Sequence, residues 1–413
     1  MSNDIYIAGV GMTSFGRHPA ASVKDLTRQA VTGALADAGC DLAQLQAAYF
    51  ANATQGHMDG QHMIRGQLAL RAMGLQSVPV VNVENACASA STALHLAVQH
   101  VRAGGAEIVL AVGAEKMFSD DKARMFAAFD GAWDVHDTEA SRARLLRMGE
   151  GIEPPPGSES DKPYSRFMSV YAAMCRWHMR TFGTTQRQIA AVCAKNHQHS
   201  VHNPFSQFRK PFTIEEVLAA PPITYPITLP MCAPLSDGAA AAILCTRDGL
   251  ERIGADRGRA IRVAASVIRS YTHRGVDEYE KSVGRRAALA AYEQAGLGPE
   301  DIDVAEVHDA SAMGEILQSE NLGLVPFGGG GPAAERGEFT VGGRIPINPS
   351  GGLESKGHPL GATGIGQLYE LVTQLRAEAG ARQVHGARHA IQENGGGMQG
   401  VEEAAVAVHI LSR

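Results

Sequence analysis

The sequence predicts an α/β protein, with a mostly parallel sheet covered by helices on both faces. Three observations carry that reading. Short apolar runs of strand length alternate with longer runs whose apolar residues recur at helical spacing. Gly and Ala are abundant while aromatics make up only 6%, a mixture suited to close helix-on-sheet packing. After the charged, Gly-bearing stretch Arg247 to Arg259 the order of elements starts again, so two related halves are expected.

In order, Asp4 to Val10 reads as a strand. Val23 to Ala38 reads as a helix with Leu26, Ala30, Val31 and Leu35 on one face, closed by Gly39. Ala47 to Asn52 is a strand, Gln61 to Met73 a helix, and Ser77 to Val83 a buried strand. The Ala/Leu-rich run Ala88 to Val101 is a helix, and Ala106 to Gly113 a strand apolar on both faces. From about Phe118 to Arg180 charges, Met, both Trp and the segment Glu153-Pro154-Pro155-Pro156-Gly157 break the rhythm, as in an inserted lid. Gln186 to Val201 is helical and Leu235 to Thr246 a strand. The second half offers strands at Ala260 to Ser266, Asp303 to His308, Ala387 to Gln392 and Ala404 to Leu411. Its helices are Lys281 to Ala295 and a segment through Leu368, Leu371, Val372 and Leu375. The expected division is therefore 1–117, first part of the N-terminal half; 118–185, inserted subdomain; 186–250, completion of that half; and 251–413, C-terminal half.

A formal net charge of −6 leaves no nucleic-acid footprint, and no apolar run reaches membrane-spanning length. No charged-then-apolar leader opens the chain, and the terminal Leu411-Ser412-Arg413 is not an SKL-type address, so a cytoplasmic enzyme is expected. Six cysteines without CxxC pairs fit a reduced protein rather than a disulfide scaffold or zinc site.

Four stretches carry chemistry. In Asn85-Ala86-Cys87-Ala88-Ser89 a thiol stands at the head of a helix, where the dipole and free N–H groups favour thiolate. A buried packing cysteine is the other reading of this stretch alone. Asn348 to Gly364 is a Gly-rich loop that fixes His358 between Gly357 and Pro359, as suits a base held in one orientation; it has no phosphate-loop pattern. Val307-His308-Asp309-Ala310 ends a strand, where α/β active sites collect. Asn394-Gly395-Gly396-Gly397-Met398 reads as a bare-backbone turn whose N–H groups can face an oxyanion. Together they compose an acyl-transfer site: His358 takes the thiol proton, Cys87 attacks a thioester carbonyl, and backbone N–H groups hold the oxyanion.

These segments, with Gly113-Ala114-Glu115-Lys116-Met117 and Lys195-Asn196-His197…Asn203-Pro204, resemble the thiolase superfamily nearly end to end, most closely its sterol-carrier-protein-2-type branch. The resemblance implies a five-layered αβαβα fold of two related halves with an inserted loop subdomain. It implies a homodimer or homotetramer that exchanges acyl groups between coenzyme A thioesters, with no tightly bound cofactor. Cys87 resembles the acylated nucleophile and His358 its base. His308 stands where the family places an oxyanion-hole residue, and Gly395 and Gly396 resemble a second oxyanion hole. Two departures stand out. The family's second acid/base cysteine is missing both after His308-Asp309, where Ala310 stands, and at Gln392-Glu393-Asn394. Glu393, His308 or a water held by His308 are the candidate substitutes. Ala90, where relatives often have Gly, is expected to narrow the acyl pocket.

Other residues carry competing readings. His197, His199 and His202 resemble a metal cluster but lack an acidic or Cys partner, so a solvated or substrate-side helix is expected and no metal. Gly328 to Gly331 reads as a surface loop, and the other five cysteines, with Ser89 and Ser91, as packing or capping residues. Asp309 is either a hydrogen-bond partner behind the site or a helix-start carboxylate. Two alternatives to thiolase turnover remain. One is an acyltransferase or retro-aldolase working with a small zinc-ribbon/OB-fold partner; the other is a non-catalytic acyl-CoA or lipid-binding protein.

Overall fold

In the computed structural model, which describes residues 4–413, strand β1 (Tyr6–Met12) lies at the centre of the sheet with its last six residues buried. Helix α1 (Val23–Ala38) follows, capped by the Ser22 side chain on Asp25 N and ended by Gly39 at φ 66°. It packs so closely on β1 that a Cβ on Gly11 would lie 2.3 Å from the Ala30 carbonyl oxygen. Then come β2 (Ala47–Ala51), α2 (Gln55–Asp59), α3 (Arg65–Arg71), β3 (Val80–Val83), α4 (Ser89–Arg102) and β4 (Ile108–Glu115). Residues 118–185 hold helices α5 (Lys122–Ala127), α6 (Thr138–Leu146) and α7 (Arg166–Phe182) and no strand. Next are α8 (Gln186–Ser200), α9 (Ile214–Leu218), the small pair β5 (Pro222–Thr224) and β6 (Ile227–Thr228), then β7 (Gly238–Cys245) and α10 (Arg247–Ile253). The second half comprises β8 (Ile261–Ser270), α11 (Val283–Ala295), β9 (Val304–Glu306), α12 (Ala312–Asn321), α13 (Gly330–Glu335), α14 (Gly352–Lys356), α15 (Thr363–Leu375), β10 (His389–Gln399) and β11 (Glu402–Ser412).

The nine long strands run in the order β3-β2-β4-β7-β1-β8-β11-β10-β9. Only two residue pairs, Tyr6↔Arg262 and Ile7↔Ile261, join β1 to β8, so the halves meet at a narrow seam. Helices α4 and α15 pack between the halves and touch strands of both; α1 covers the outer face of the first half, α11 that of the second. This is the five-layered αβαβα arrangement.

Several expectations change. The sheet is not mostly parallel: β2 runs parallel to β3 and β4, and β9 to β10, but β1, β7, β8 and β11 pair antiparallel with their neighbours. A two-residue turn between β10 and β11 allows no other direction. The strand expected from Ser77 is short and is the sheet's edge, with Val81 42% exposed rather than buried. The helix expected at Gln61 starts only at Arg65, after Ile64 at φ 50°. Gly395 to Gly397 are inside β10, not in a turn; the turn is at Gly400, φ 64°. Gly330 and Gly331 are buried at the start of α13, where a Cβ would meet Ile316 or Gln188 at 2.9 Å, so this run is packing rather than surface loop.

Candidate active site

Strand β3 delivers the chain to a tight bend. Asn85 leaves the extended region (φ −156°, ψ 51°), Ala86 turns into the left-handed region (φ 48°), and Cys87 sits in a single 3-10 turn that runs into α4. A non-glycine residue held there costs about 1–3 kcal/mol, so surrounding contacts must hold the bend. Ser89 does: its Oγ accepts from Asn85 N at 2.9 Å and donates to the Ala86 carbonyl at 2.6 Å, bracing the bend from the first residue of α4. Strand β10 presses on the other side. A Cβ on Gly396 would lie 2.2 Å from the Asn85 carbonyl oxygen and 2.5 Å from Ala88 N.

His358 arrives from the loop before α15. Gly357 (φ 114°) turns the chain and the Ser236 hydroxyl accepts from His358 N at 2.9 Å. The Thr363 hydroxyl donates to the Pro359 carbonyl (3.1 Å) and lies 2.7 Å from His358 Nδ1. With its one proton spent, Thr363 accepts from Nδ1–H, and the lone pair of Nε2 faces Cys87 Sγ at 3.3 Å. The His308 ring centroid is 5.2 Å from that of His358, and Cys87, His308 and His358 bring donor atoms within 4.8 Å of one another. Such a set can also ligate a thiophilic cation.

A buried charged network fixes the loop. Ser350 N and Oγ donate to Glu306, Lys356 Nζ is 3.0 Å from Glu306, and Leu353 N donates to Asp309 Oδ1 at 2.8 Å. Asp309 also accepts from Asn196, so it braces the loop behind the site. Helix α8 is buried in this network, not solvated. His199 is held neutral between Val341 N and the Asn348 carbonyl, pushed down to about 3 chiefly by burial, and His197 packs against Phe208 and Phe212.

Electrostatics in the free enzyme run against the thiolate expectation. Burial first, then the field of Glu115, pushes the Cys87 thiol up to about 12. Burial, then His308, pushes His358 well below the usual imidazole range, and burial holds His308 down at about 4. Both shifts favour a resting pair of thiol and neutral imidazole. Desolvation outweighs what one helix terminus supplies. Transfer of the thiol proton to Nε2 needs no rearrangement once a bound carbonyl draws the sulfur forward.

The three side chains and Gly396 form the floor of a cavity of about 570 Å³. Its walls are mostly apolar, and residues 126–171 contribute Phe126, Phe129, Phe167, Met168 and Tyr171. Of the other residues singled out in the sequence, Gly395 and Glu393 lie behind this wall. Glu393 is fully buried and its Oε2 accepts from His308 N at 3.0 Å. Ala90 is packed in the core rather than on the acyl pocket, so it does not narrow it. Cys232, read as packing, forms part of the wall, with Sγ held 3.7 Å from the Thr228 carbonyl. Sequence reasoning missed Thr363, Tyr171 and Glu403. Adjacent charges at Glu402-Glu403 in an otherwise apolar strand were the available signal, since one of the two must face inward.

Comparison with known proteins agrees with this architecture. The family described as "Thiolase, N-terminal domain" matches residues 5–217, and "Thiolase C-terminal domain-like" matches 265–413. The chain belongs to the thiolase family and is an acyltransferase of that type. It is 39% identical over 415 residues to an acetyl-CoA acetyltransferase of Methanothermobacter thermautotrophicus, covering 99% of this chain and all of the relative. It is 38% identical over 399 residues to sterol carrier protein 2 of Oryctolagus cuniculus, covering 94% of this chain and 69% of that protein. Among solved structures, the Ltp2-ChsH2(DUF35) aldolase superposes with a TM-score of 0.77 at 21% identity, over 99% of this chain and 98% of the other. That likeness concerns the fold.

Proposed function

We propose that this enzyme transfers acyl groups between coenzyme A thioesters through an acyl-enzyme on Cys87. It would either cleave 3-ketoacyl-CoA with free coenzyme A or run the reverse condensation. The observation that carries the reading is the 3.3 Å approach of His358 Nε2 to Cys87 Sγ on the floor of an apolar cavity, with Thr363 setting the tautomer. Cys87 attacks the thioester carbonyl, His358 accepts its proton and returns it to the departing coenzyme A thiolate, and His308 with the backbone beside Gly396 holds the oxyanion. Coenzyme A enters as substrate and leaves as product, and no tightly bound cofactor takes part.

The direct test is incubation with acetoacetyl-CoA and free coenzyme A, with intact-protein mass spectrometry to trap the intermediate. Wild type should gain an acetyl group and turn over. Cys87→Ala and His358→Ala should each lose turnover by about 10³-fold or more. An acyl adduct on the Cys87→Ala protein would overturn the assignment.

A second reading is a partner-dependent acyltransferase or retro-aldolase on the same fold, assisted by a small zinc-ribbon/OB-fold protein. It is favoured by Ala310 and by Gln392-Glu393-Asn394, neither of which offers the second thiol. Acylation without thiolysis, restored by a co-purifying subunit, would select it. Among the described residues no helix is long and apolar enough to cross a membrane. An exposed apolar sheet edge favours a homo-oligomer.

A further inference from the structure

The missing thiol leaves carbon–carbon bond formation without an evident base, and the structure offers one that neither departure suggested. Glu402 and Glu403 are neighbours on β11 and so face opposite ways. Glu402 is ion-paired to Arg274 at 2.6 Å and accepts from Val283 N, Thr272 N and Thr272 Oγ1. Glu403 instead lines the cavity that holds Cys87, His308 and His358, and among the described residues no cation pairs with it. Its Oε1 accepts from Gln318 Nε2 at 2.9 Å, which fixes the carboxyl while the head stays in the cavity wall. Room for it is made by Gly395, where a Cβ would come 2.7 Å from Glu403 Cγ. This gives that glycine a purpose other than an oxyanion hole.

An unpaired carboxyl in a largely apolar wall is costly and is ordinarily replaced or neutralised. Burial, and then Glu402, raises its pKa above the usual carboxylate range, the direction in which a carboxylate becomes a stronger base. The rivals are less well placed. Glu393 is bonded to His308 N and lies behind the wall; Glu84 is exposed at the mouth; the Cys232 thiol is held toward the Thr228 carbonyl. The Tyr171 phenol shares the cavity and feels the charges of Cys87 and Glu403, but burial raises it well above the phenol range, which disfavours it as a base.

We propose that Glu403 is the second acid/base of this site, removing the α-proton of the second acyl-CoA. The proposal rests on the acyl-enzyme reading given above. In the condensing direction the Glu403 carboxylate takes a proton from the α-carbon. The electron pair of that C–H bond forms the new C–C bond to the acyl carbonyl on Cys87. The C–S bond breaks, and the sulfur leaves as thiolate. The proton held by Glu403 then restores the Cys87 thiol, so no proton is gained or lost over the step. Thiolysis runs the same sequence backward.

The test separates the two half-reactions in wild type, Glu403→Gln and Glu403→Asp. Acylation is followed as exchange of labelled coenzyme A into acetyl-CoA, and C–H abstraction as uptake of deuterium into the acetyl methyl in D2O. Glu403→Gln should keep acylation within about threefold while thiolysis and deuterium uptake each fall by about 10²–10⁴-fold; Glu403→Asp should recover part of both. Retention of thiolysis and deuterium uptake by Glu403→Gln would overturn the proposal. So would their loss in Tyr171→Phe or Cys232→Ser with Glu403→Gln unaffected. A wild-type protein that never acylates would sink the acyl-enzyme reading instead, and one that acylates but never exchanges the methyl protons would sink the role of Glu403 alone.

Discussion

Thr363 decides which proton His358 can move, and Cys87 decides when. The Thr363 hydroxyl spends its hydrogen on the Pro359 carbonyl, so Nδ1 keeps its proton and Nε2 presents a lone pair to sulfur. Glycine spacing in the sequence made a constrained histidine legible. The tautomer was not, because it depends on where a single hydroxyl proton points. The pull against a Cys87 thiolate was hidden for a related reason. A helix start is visible in sequence, but the burial that pushes the thiol up to about 12 comes from walls contributed by distant segments. A raised pKa leaves the thiol protonated below that value, so its thiolate fraction grows with pH throughout the accessible range. Alkylation of Cys87 in the free enzyme by iodoacetamide, followed by peptide mass spectrometry, should therefore rise about tenfold per pH unit from 7 to 10. A rate already at its plateau at pH 7 would show instead a preformed thiolate–imidazolium pair.

At the scale of elements, β10 is the part the sequence described least well. Three consecutive glycines signal a turn when only local conformation is considered. Here they serve close approach: Gly396 lets the strand lie against the Cys87 bend, and Gly395 leaves space for Glu403. Gly330 and Gly331 were misread on the same grounds, since what makes them necessary is packing against α12, one loop earlier, and against α8, far away in sequence. By contrast α1 was legible to the residue, because its apolar stripe and closing Gly39 are both local. The tight contact under Gly396 makes a sharp prediction. In Gly396→Ala the new methyl would meet the Asn85 carbonyl at 2.2 Å, so either β10 or the nucleophile bend must shift. Thermal unfolding should show a loss of about 1–3 kcal/mol, as for an overpacked core. Acylation of Cys87 should slow by about tenfold or more, since a displacement near 1 Å suffices for such losses. Unchanged acylation in a folded variant would mean that β10 does not set the position of Cys87.

On the scale of the whole molecule, the restart after Arg259 was legible and the directions of the strands were not. Segment order reveals repeated units, whereas pairing β1 with β7 and β8 joins residues more than 200 positions apart, which no local pattern specifies. The same limit hid the edge. β3 is apolar enough to pass for an interior strand, but it lies last in the sheet, and beyond it only side chains of α3 reach its backbone, Gln67 Nε2 donating to the Val80 carbonyl at 2.9 Å. Val81 is 42% exposed there, and Ile64, just before α3, is 56% exposed. Exposed apolar side chains at a sheet edge are normally covered, and an antiparallel copy of the same strand across a twofold axis covers both at once. This edge also leads directly through Glu84 and Asn85 to Cys87, so pairing there would stiffen the nucleophile bend. We therefore expect wild type to be at least dimeric by light scattering at micromolar concentration. Val81→Lys places a charge on the pairing face and should shift the protein toward monomer, with little effect on the fold of an already exposed position. If pairing supports the bend, that monomer should also acylate Cys87 more slowly. A monomeric wild type, or a Val81→Lys protein that stays dimeric, would assign the edge strand no such role. A monomer that acylates at the wild-type rate would show that each chain holds its nucleophile unaided.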